Sequence, residues 1–435
     1  MPGWQAHLNL QEVWLPIYIA EIQKAGKLTQ HKQLKDKLKI LTMANQLNRR
    51  SWIKSTALLA GAATFLSGTL EKLAAMPRNI QQNFMSDRMA DQYSILRADE
   101  ARPVIKARLS ANENPFGPSA GAKKAMKKAL KSSYQYPFMH MRELTEQIAQ
   151  HEGIKQNNIM MDAGSSPMLL GAALFYAKNG GEIISADPSY NDLPSDAERH
   201  GAKWTKVPLT SEYKIDLDEM EAKITDKTAL IYICNPNNPT ATILDTVKLK
   251  DFCERVSKKV PVFVDEAYID YLPDPQAASM IDCVKKGQNI IVARTFSKLY
   301  GFAGLRCGYI IAQPETIKNL SKYSTGSMSL SAPTLAAAIV AYGEKDFLTD
   351  ALKKTMASKE YLYSVLKAEG YEYIPSSANF VMFPLKMDSM RFSQEMSKRG
   401  VSIRTWRFSG KEWCRVSIGR MDEMKAFADA FKQLS

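Results

Sequence analysis

One lysine carries the most specific chemistry in this 435-residue chain. Residues 294–309 read RTFSKLYGFAGLRCGY, placing Lys298 between hydroxyl residues and a glycine-punctuated arginine. A lysine in that setting is suited to hold an aldehyde cofactor as a Schiff base, a task few side chains perform. Thr295 and Ser297 offer hydroxyl donors just upstream. Downstream, Arg306 offers a planar guanidinium able to grip a phosphate at two points.

Three other segments hold parts that complement this one, and each also has a plainer reading. Gly164-Ser165-Ser166-Pro167 reads as a helix start, with the proline in the first turn. Free N–H groups and the helix dipole there form a phosphate cradle, although glycine-serine helix starts are common. In CNPNNPTATILD (234–245), Asn238 could donate to a phenolate oxygen, or the run could simply be a proline-rich turn. VFVDEAYIDY (262–271) sets Asp265 at the C-terminal end of a strand, where ligands of open α/β sheets bind. A buried carboxylate needs a cationic partner, and a pyridinium nitrogen would serve; a helix-capping aspartate is the alternative. Tyr268 in the same run could reach a phenolate. In DPSYNDL (187–193), Tyr190 could stack on a cofactor ring or pack as a loop aromatic.

The elements that must position these residues are legible as alternating patterns. Glu182–Asp187, Ala229–Cys234, Val260–Val264 and Asn289–Arg294 are apolar, β-branched runs bounded by turn residues, as buried parallel strands are. Leu169–Ala177 and Asp245–Ser257 read as helices between or beside them. Strand–helix alternation over roughly 135–325 predicts an α/β layered domain. Beyond about residue 330 come a long helical pattern (Ala332–Gly370), short strands near Ala378–Phe383 and Trp413–Ile418, and a final amphipathic helix (Met421–Leu434). Those predict a smaller α+β domain.

Composition narrows the function classes. The formal net charge is +13, of which residues 1–76 carry +6 from ten Lys/Arg against four Asp/Glu. The remaining +7 is modest for so long a body, and no basic run interleaved with aromatics suggests a nucleic-acid groove. Five dispersed cysteines without a CxxC pair and five dispersed histidines indicate neither a disulfide framework nor a metal site. Near the N-terminus, Asn-Arg-Arg-Ser-Trp-Ile-Lys (48–54) and the apolar stretch Ser55–Leu66 resemble a twin-arginine export signal. That stretch is too short for a stable membrane span, which needs roughly 20 residues. The expectation is an exported, periplasmic protein with an N-terminal extension over 1–76; the alternative is a cytoplasmic protein with that segment as an amphipathic helix packed on the body.

Over residues 108–435 the chain resembles fold-type I, class I/II aminotransferases, and most closely the histidinol-phosphate aminotransferase family. The resemblance rests on RLSANENPFGPS (108–119), Tyr136-Pro137, GSS (164–166), NPNNPT (235–240), VDEAYIDY (264–271), the TFSK…GLRCGY run, SSANFVMF (376–383) and the terminal VSIRTW…CRVSIG. It implies a mostly parallel seven-stranded sheet with flanking helices and a smaller α+β domain. The expected division is an arm and part of the small domain at 100–131, a large domain at 132–328 and a small C-terminal domain at 329–435. It implies pyridoxal 5'-phosphate (PLP) bound covalently to Lys298, with Asp265 on the ring nitrogen. Asn238 and Tyr268 then bind the phenolate, Tyr190 stacks on the ring, and Gly164, Ser165, Thr295 and Arg306 hold the phosphate. Ser297 and Ser166 join that phosphate set, although Ser166 replaces the acidic residue usual there. Tyr136 matches a tyrosine that reaches the neighbouring subunit's phosphate, which implies a homodimer with shared sites. Asn114, Arg404 and Arg415 are the implied substrate ligands, with Arg415 holding the anionic end. Ala241, Trp406 and Arg407 also depart from the usual pattern. The implied activity is amino transfer between an amino acid or amino-alcohol phosphate, histidinol phosphate being one, and 2-oxoglutarate. A decarboxylase of a phosphorylated amino acid and a non-catalytic exported binding protein are the alternatives.

Overall fold

The computed structural model describes residues 104–434. The extension 1–76 and its export motif lie outside the described residues. In chain order the strands are β1 (Ala107–Arg108), β2 (Ile159–Asp162), β3 (Glu182–Asp187), β4 (Lys203–Pro208), β5 (Thr228–Cys234), β6 (Val262–Asp265), β7 (Ile290–Thr295), β8 (Gly308–Ile311), β9 (Phe380–Pro384), β10 (Val401–Ser402), β11 (Arg404–Phe408) and β12 (Lys411–Ser417).

Seven of these strands form one sheet in the order β2-β8-β7-β6-β5-β3-β4. The pairs β3–β4, β3–β5, β5–β6 and β6–β7 are parallel, while β8 runs antiparallel to both β2 and β7. Helices cover both faces, so the central strands are apolar on both sides. The period of two is exact enough to assign each face. Ile231, Ile233, Val262, Val264, Ile290 and Val292 enter one core. Leu230, Tyr232, Phe263, Ile291 and Ala293 enter the other, against the helix Ser166–Ala177. Asp265 follows Phe263 by two residues, and Thr295 follows Ala293 by two. Strand parity therefore delivers both polar side chains to the same face, at the C-terminal ends of adjacent strands. Phe263 is fully buried there, and its truncation to alanine would cost about 3–5 kcal/mol.

The antiparallel sheet β11-β12-β9 packs on a third core that includes Leu362, Val381, Phe383, Phe427 and Phe431. The arm reaches this core through Ala107 and Leu109, and β1 pairs with β10 in parallel.

Two sequence expectations need correction. The single helical pattern at 332–370 is two helices, Ala332–Gly343 and Lys345–Ala368, separated at Glu344 by a non-helical ψ of 67°. The first of them buries Leu335, Ala337, Ala338 and Ala341 in the core that also holds Ile231 and Val262. It therefore belongs with the large sheet, although the boundary at 329 put it in the small domain. Ala122, on the helix Ala120–Ala129 of the expected arm, is in the same core. Alanine-rich helices pack closely on several sides, so composition gives no sign of which layer they join. Among the described residues no helix is long and apolar enough to cross a membrane.

Candidate active site

The ends of β5, β6 and β7, the start of helix Ser166–Ala177 and the arm enclose a cavity of about 220 Å³. Its walls include Ser165, Ser166, Tyr190, Asp265, Tyr268, Thr295, Ser297, Lys298 and Arg306. Nine residues expected to serve one ligand thus converge on one space.

Asp265 forms the floor and is almost fully buried. Its Oδ1 accepts from the Ala267 N–H (3.1 Å), and its Oδ2 accepts from the Tyr232 hydroxyl (3.2 Å). Burial nevertheless pushes its carboxyl up to about 6, outweighing those bonds and the nearby Lys298 charge. The acid is short of countercharge, and a ring N–H⁺ is the type of group that would supply it. Lys298 follows β7 in a tight turn, with Gly301 N–H donating to its carbonyl (2.9 Å). Gly301 has φ +76°, and a Cβ there would meet the Gly117–Pro118 backbone at 2.5–2.9 Å. The turn is thus seated directly on the arm. The Lys298 Nζ lies 5.2 Å from the Tyr268 ring centre.

At the other end of the cavity the groups suit a phosphate. The Ser165 side chain makes no capping bond to the helix it precedes, and Ser165 lines the cavity. Arg306 donates to the Ala303 carbonyl (3.0 Å) and to Ser297 Oγ (3.2 Å), which leaves the serine's own proton to donate. Gly164 has φ +87°, and a Cβ there would collide with the Arg306 guanidinium. Only glycine allows the arginine to lie against the helix start. Thr295 Oγ1 accepts from the Ser297 N–H (3.1 Å) and points to the Cys307 carbonyl (3.4 Å), so it also braces the loop.

Tyr190 donates to Asp192 (2.7 Å), and burial, reinforced by that carboxylate, holds its phenol far above the ordinary range. The Tyr268 hydroxyl accepts from Asn112 Nδ2 (3.0 Å), which leaves its proton for an oxygen in the cavity. Asn238 accepts from Arg415 through Oδ1, which leaves its Nδ2 to donate. Arg415 is 3% exposed and also donates to the Ser110 carbonyl (2.9 Å). Its Nε is buried without a partner among the described residues. Burial, with Arg404 nearby, draws its guanidinium down to about 10.

Three expected residues stand elsewhere. Asn114 has both amide ends occupied, donating to the Leu299 carbonyl (2.6 Å) and accepting from Phe116 N–H (3.0 Å). It fixes the arm against the lysine loop, and its neighbour Glu113 lines the cavity instead. Arg404 is exposed opposite Arg415 on the β11–β12 ladder. Tyr136 is 74% exposed and does not line the cavity. Sequence reasoning missed Tyr232 and Asn112, which hold Asp265 and Tyr268. A tyrosine within the aliphatic strand β5 was the available signal for the first; nothing local marks the second.

Residues 104–431 match the family described as aminotransferase class I and II, and the chain belongs to that family. It is 35% identical over 335 residues to a histidinol-phosphate aminotransferase of Moorella thermoacetica, covering 77% of this chain and 86% of that one. It is 34% identical to an aromatic amino acid aminotransferase of Cutibacterium acnes, covering 75% and 92% respectively. Among solved structures, the histidinol-phosphate aminotransferase of Sinorhizobium meliloti in complex with pyridoxal-5'-phosphate matches with a TM-score of 0.70 at 25% identity, over 83% of this chain and 97% of that one. A putative histidinol-phosphate aminotransferase from Erwinia carotovora atroseptica matches at 0.73 and 28%, over 77% and 98%. The fold is that of the fold-type I PLP transferases, and the cofactor is pyridoxal 5'-phosphate.

The donor set fits that cofactor: a lysine for its aldehyde, an undercompensated acid for its ring nitrogen and a glycine-floored arginine and serine cup for its phosphate. When bound, its ring withdraws electrons from the carbon that carries the amino group. Asp265 would keep the ring nitrogen protonated. The Tyr268 hydroxyl would be a donor to the ring oxygen, Asn238, which is not among the cavity walls, would add its Nδ2 only from beside Arg415, and the Lys298 Nζ would be the base that moves a proton.

Proposed function

We propose that the protein transfers an amino group from an amino acid or amino-alcohol phosphate, a histidinol phosphate-like donor, to 2-oxoglutarate. One observation carries the reading: a buried arginine, Arg415, has no acidic partner among the described residues and lies within electrostatic reach of Tyr190 and Tyr268, two walls of the Lys298–Asp265 cavity. A charge so placed calls for an anionic ligand. Arg415 anchors the donor's anionic end, Lys298 Nζ takes the proton from the donor carbon, and Asp265 holds the proton on the ring nitrogen that lets the ring accept the developing negative charge. Water would release the donor's carbon skeleton as an oxo product, and the retained nitrogen would pass to the oxo acid in the second half of the cycle.

The working unit in this reading is a homodimer. Tyr134, Tyr136, Phe138 and Met139 present an exposed apolar surface, and Tyr136 would complete the phosphate cup of a second copy. The enzyme is exported through the signal at 48–66.

The test is a panel of amino donors, histidinol phosphate included, assayed with 2-oxoglutarate for glutamate formation. Glutamate that appears only with donor, acceptor and cofactor together supports the proposal. Carbon dioxide release without an acceptor would replace it with decarboxylation, and absence of any amino transfer by cofactor-loaded protein would refute it.

A further inference from the structure

Trp406 is a large aromatic residue that no step so far requires. It lies on β11 directly opposite Trp413 of β12, two residues along from the Arg404–Arg415 pair. Opposed residues of an antiparallel ladder project from the same side of the sheet, so Trp406 and Arg415 share a face. The indole covers the guanidinium at 4.7 Å from its central carbon, and the Phe380 ring lies 5.2 Å from the same atom. The indole is itself fixed, packed on the cluster of Ile374, Met382 and Trp413.

The cation is therefore held against aromatic faces, and its bonding is confined to its own plane. In that plane one terminal nitrogen donates to Asn238 and the other to the Ser110 carbonyl (2.9 Å). The Nε–H is unpartnered among the described residues. Nε and the adjacent terminal nitrogen form one edge of the fork, which a carboxylate meets with two parallel bonds.

We infer that Trp406 makes this edge selective for the flat carboxylate of an α-amino acid over a tetrahedral phosphate. The two oxygens of a carboxylate lie in the guanidinium plane. Those of a phosphate do not, and the out-of-plane oxygens would face the rings, whose π-faces are negative. The inference rests on Arg415 being the donor's anchor, as proposed above, and narrows the donor class to amino acids. Trp406 is a positioning residue, acting through Arg415.

The experiment compares kcat and KM for phenylalanine, glutamate and histidinol phosphate in the wild type, Trp406→Phe and Trp406→Ser, each loaded with cofactor. Wild type should favour at least one amino acid over histidinol phosphate. Trp406→Ser should raise the amino acid KM about tenfold with kcat nearly unchanged, and narrow the preference, while Trp406→Phe restores most of it. Cofactor absorbance should be equal in all three. Histidinol phosphate as the better wild-type donor, or an unchanged ratio in Trp406→Ser, would overturn the selectivity while leaving amino transfer intact. No transfer from any of the three donors would overturn both readings.

Discussion

Replacing Asp265 by asparagine should stabilise the cofactor-free protein and cripple the loaded one. The free carboxyl titrates near 3.8, and burial in the fold moves it up to about 6. That difference corresponds to roughly 3 kcal/mol between the protonated and ionised forms. Below about pH 4 the group is protonated in both folded and unfolded chains, and no penalty exists. As the pH rises from about 4 to about 6, the unfolded chain releases the proton while the folded chain retains it. The folded state then binds more protons, so stability falls with rising pH and the whole penalty is present above about 6. Asparagine removes the titration and keeps the local bonding, since its carbonyl can accept from Ala267 N–H and its amide can donate to the Tyr232 oxygen. The assay is thermal or denaturant unfolding of cofactor-free wild type and Asp265→Asn from pH 4 to 8. The variant's advantage should grow between about pH 4 and 6 and level off near 3 kcal/mol at most. Adding cofactor should reverse the order, because only the aspartate compensates a protonated ring nitrogen, and turnover of the variant should fall by orders of magnitude. A pH-independent difference between the two proteins, or near-normal turnover by the variant, would refute the assignment of Asp265 as a buried charge awaiting a cation.

Lys298→Ala should lose turnover yet keep its fold and some cofactor affinity; borohydride treatment and peptide mapping should tag Lys298 in the wild type and nothing in the variant. Glu266→Gln should destabilise the fold by about 3 kcal/mol in urea unfolding, because it strips the buried partner (2.7 Å) from Arg294, which is itself only slightly exposed. Tyr136→Phe should weaken cofactor binding without altering Asp265 or Lys298, and a mixed dimer of Tyr136→Phe and Lys298→Ala chains should contain one site with neither change; sedimentation that shows only monomer would end the shared-site argument. A reporter fused after residue 76 should reach the periplasm only while Arg49 and Arg50 are intact, as measured by fractionation.

The sequence by itself determined the family, its cofactor and most of the large sheet. Glu182–Asp187 was legible to the residue, and β5, β6 and β7 to within a few, because strands buried on both faces are continuous apolar runs. Lys298, Asp265, Arg306 and the Gly164–Ser166 helix start, which the fold gathers at one cavity, stood out because each lies in a short segment of distinctive residue types. The edge strand β4 was not, since Lys203, Lys206 and its largely exposed residues do not look like core, and neither β2 nor β8 carries a strong enough pattern in four residues. Only the tertiary structure decided which support holds each functional group. Tyr232 reaches Asp265 across 33 residues, Asn112 reaches Tyr268 across 156, and Arg415 reaches Asn238 across 177. A hydrogen bond needs two atoms within about 3 Å in space and takes no account of their separation along the chain, so no local pattern records it. The same holds for Trp406 over Arg415, which exists because one hairpin register places both side chains on one face of a sheet.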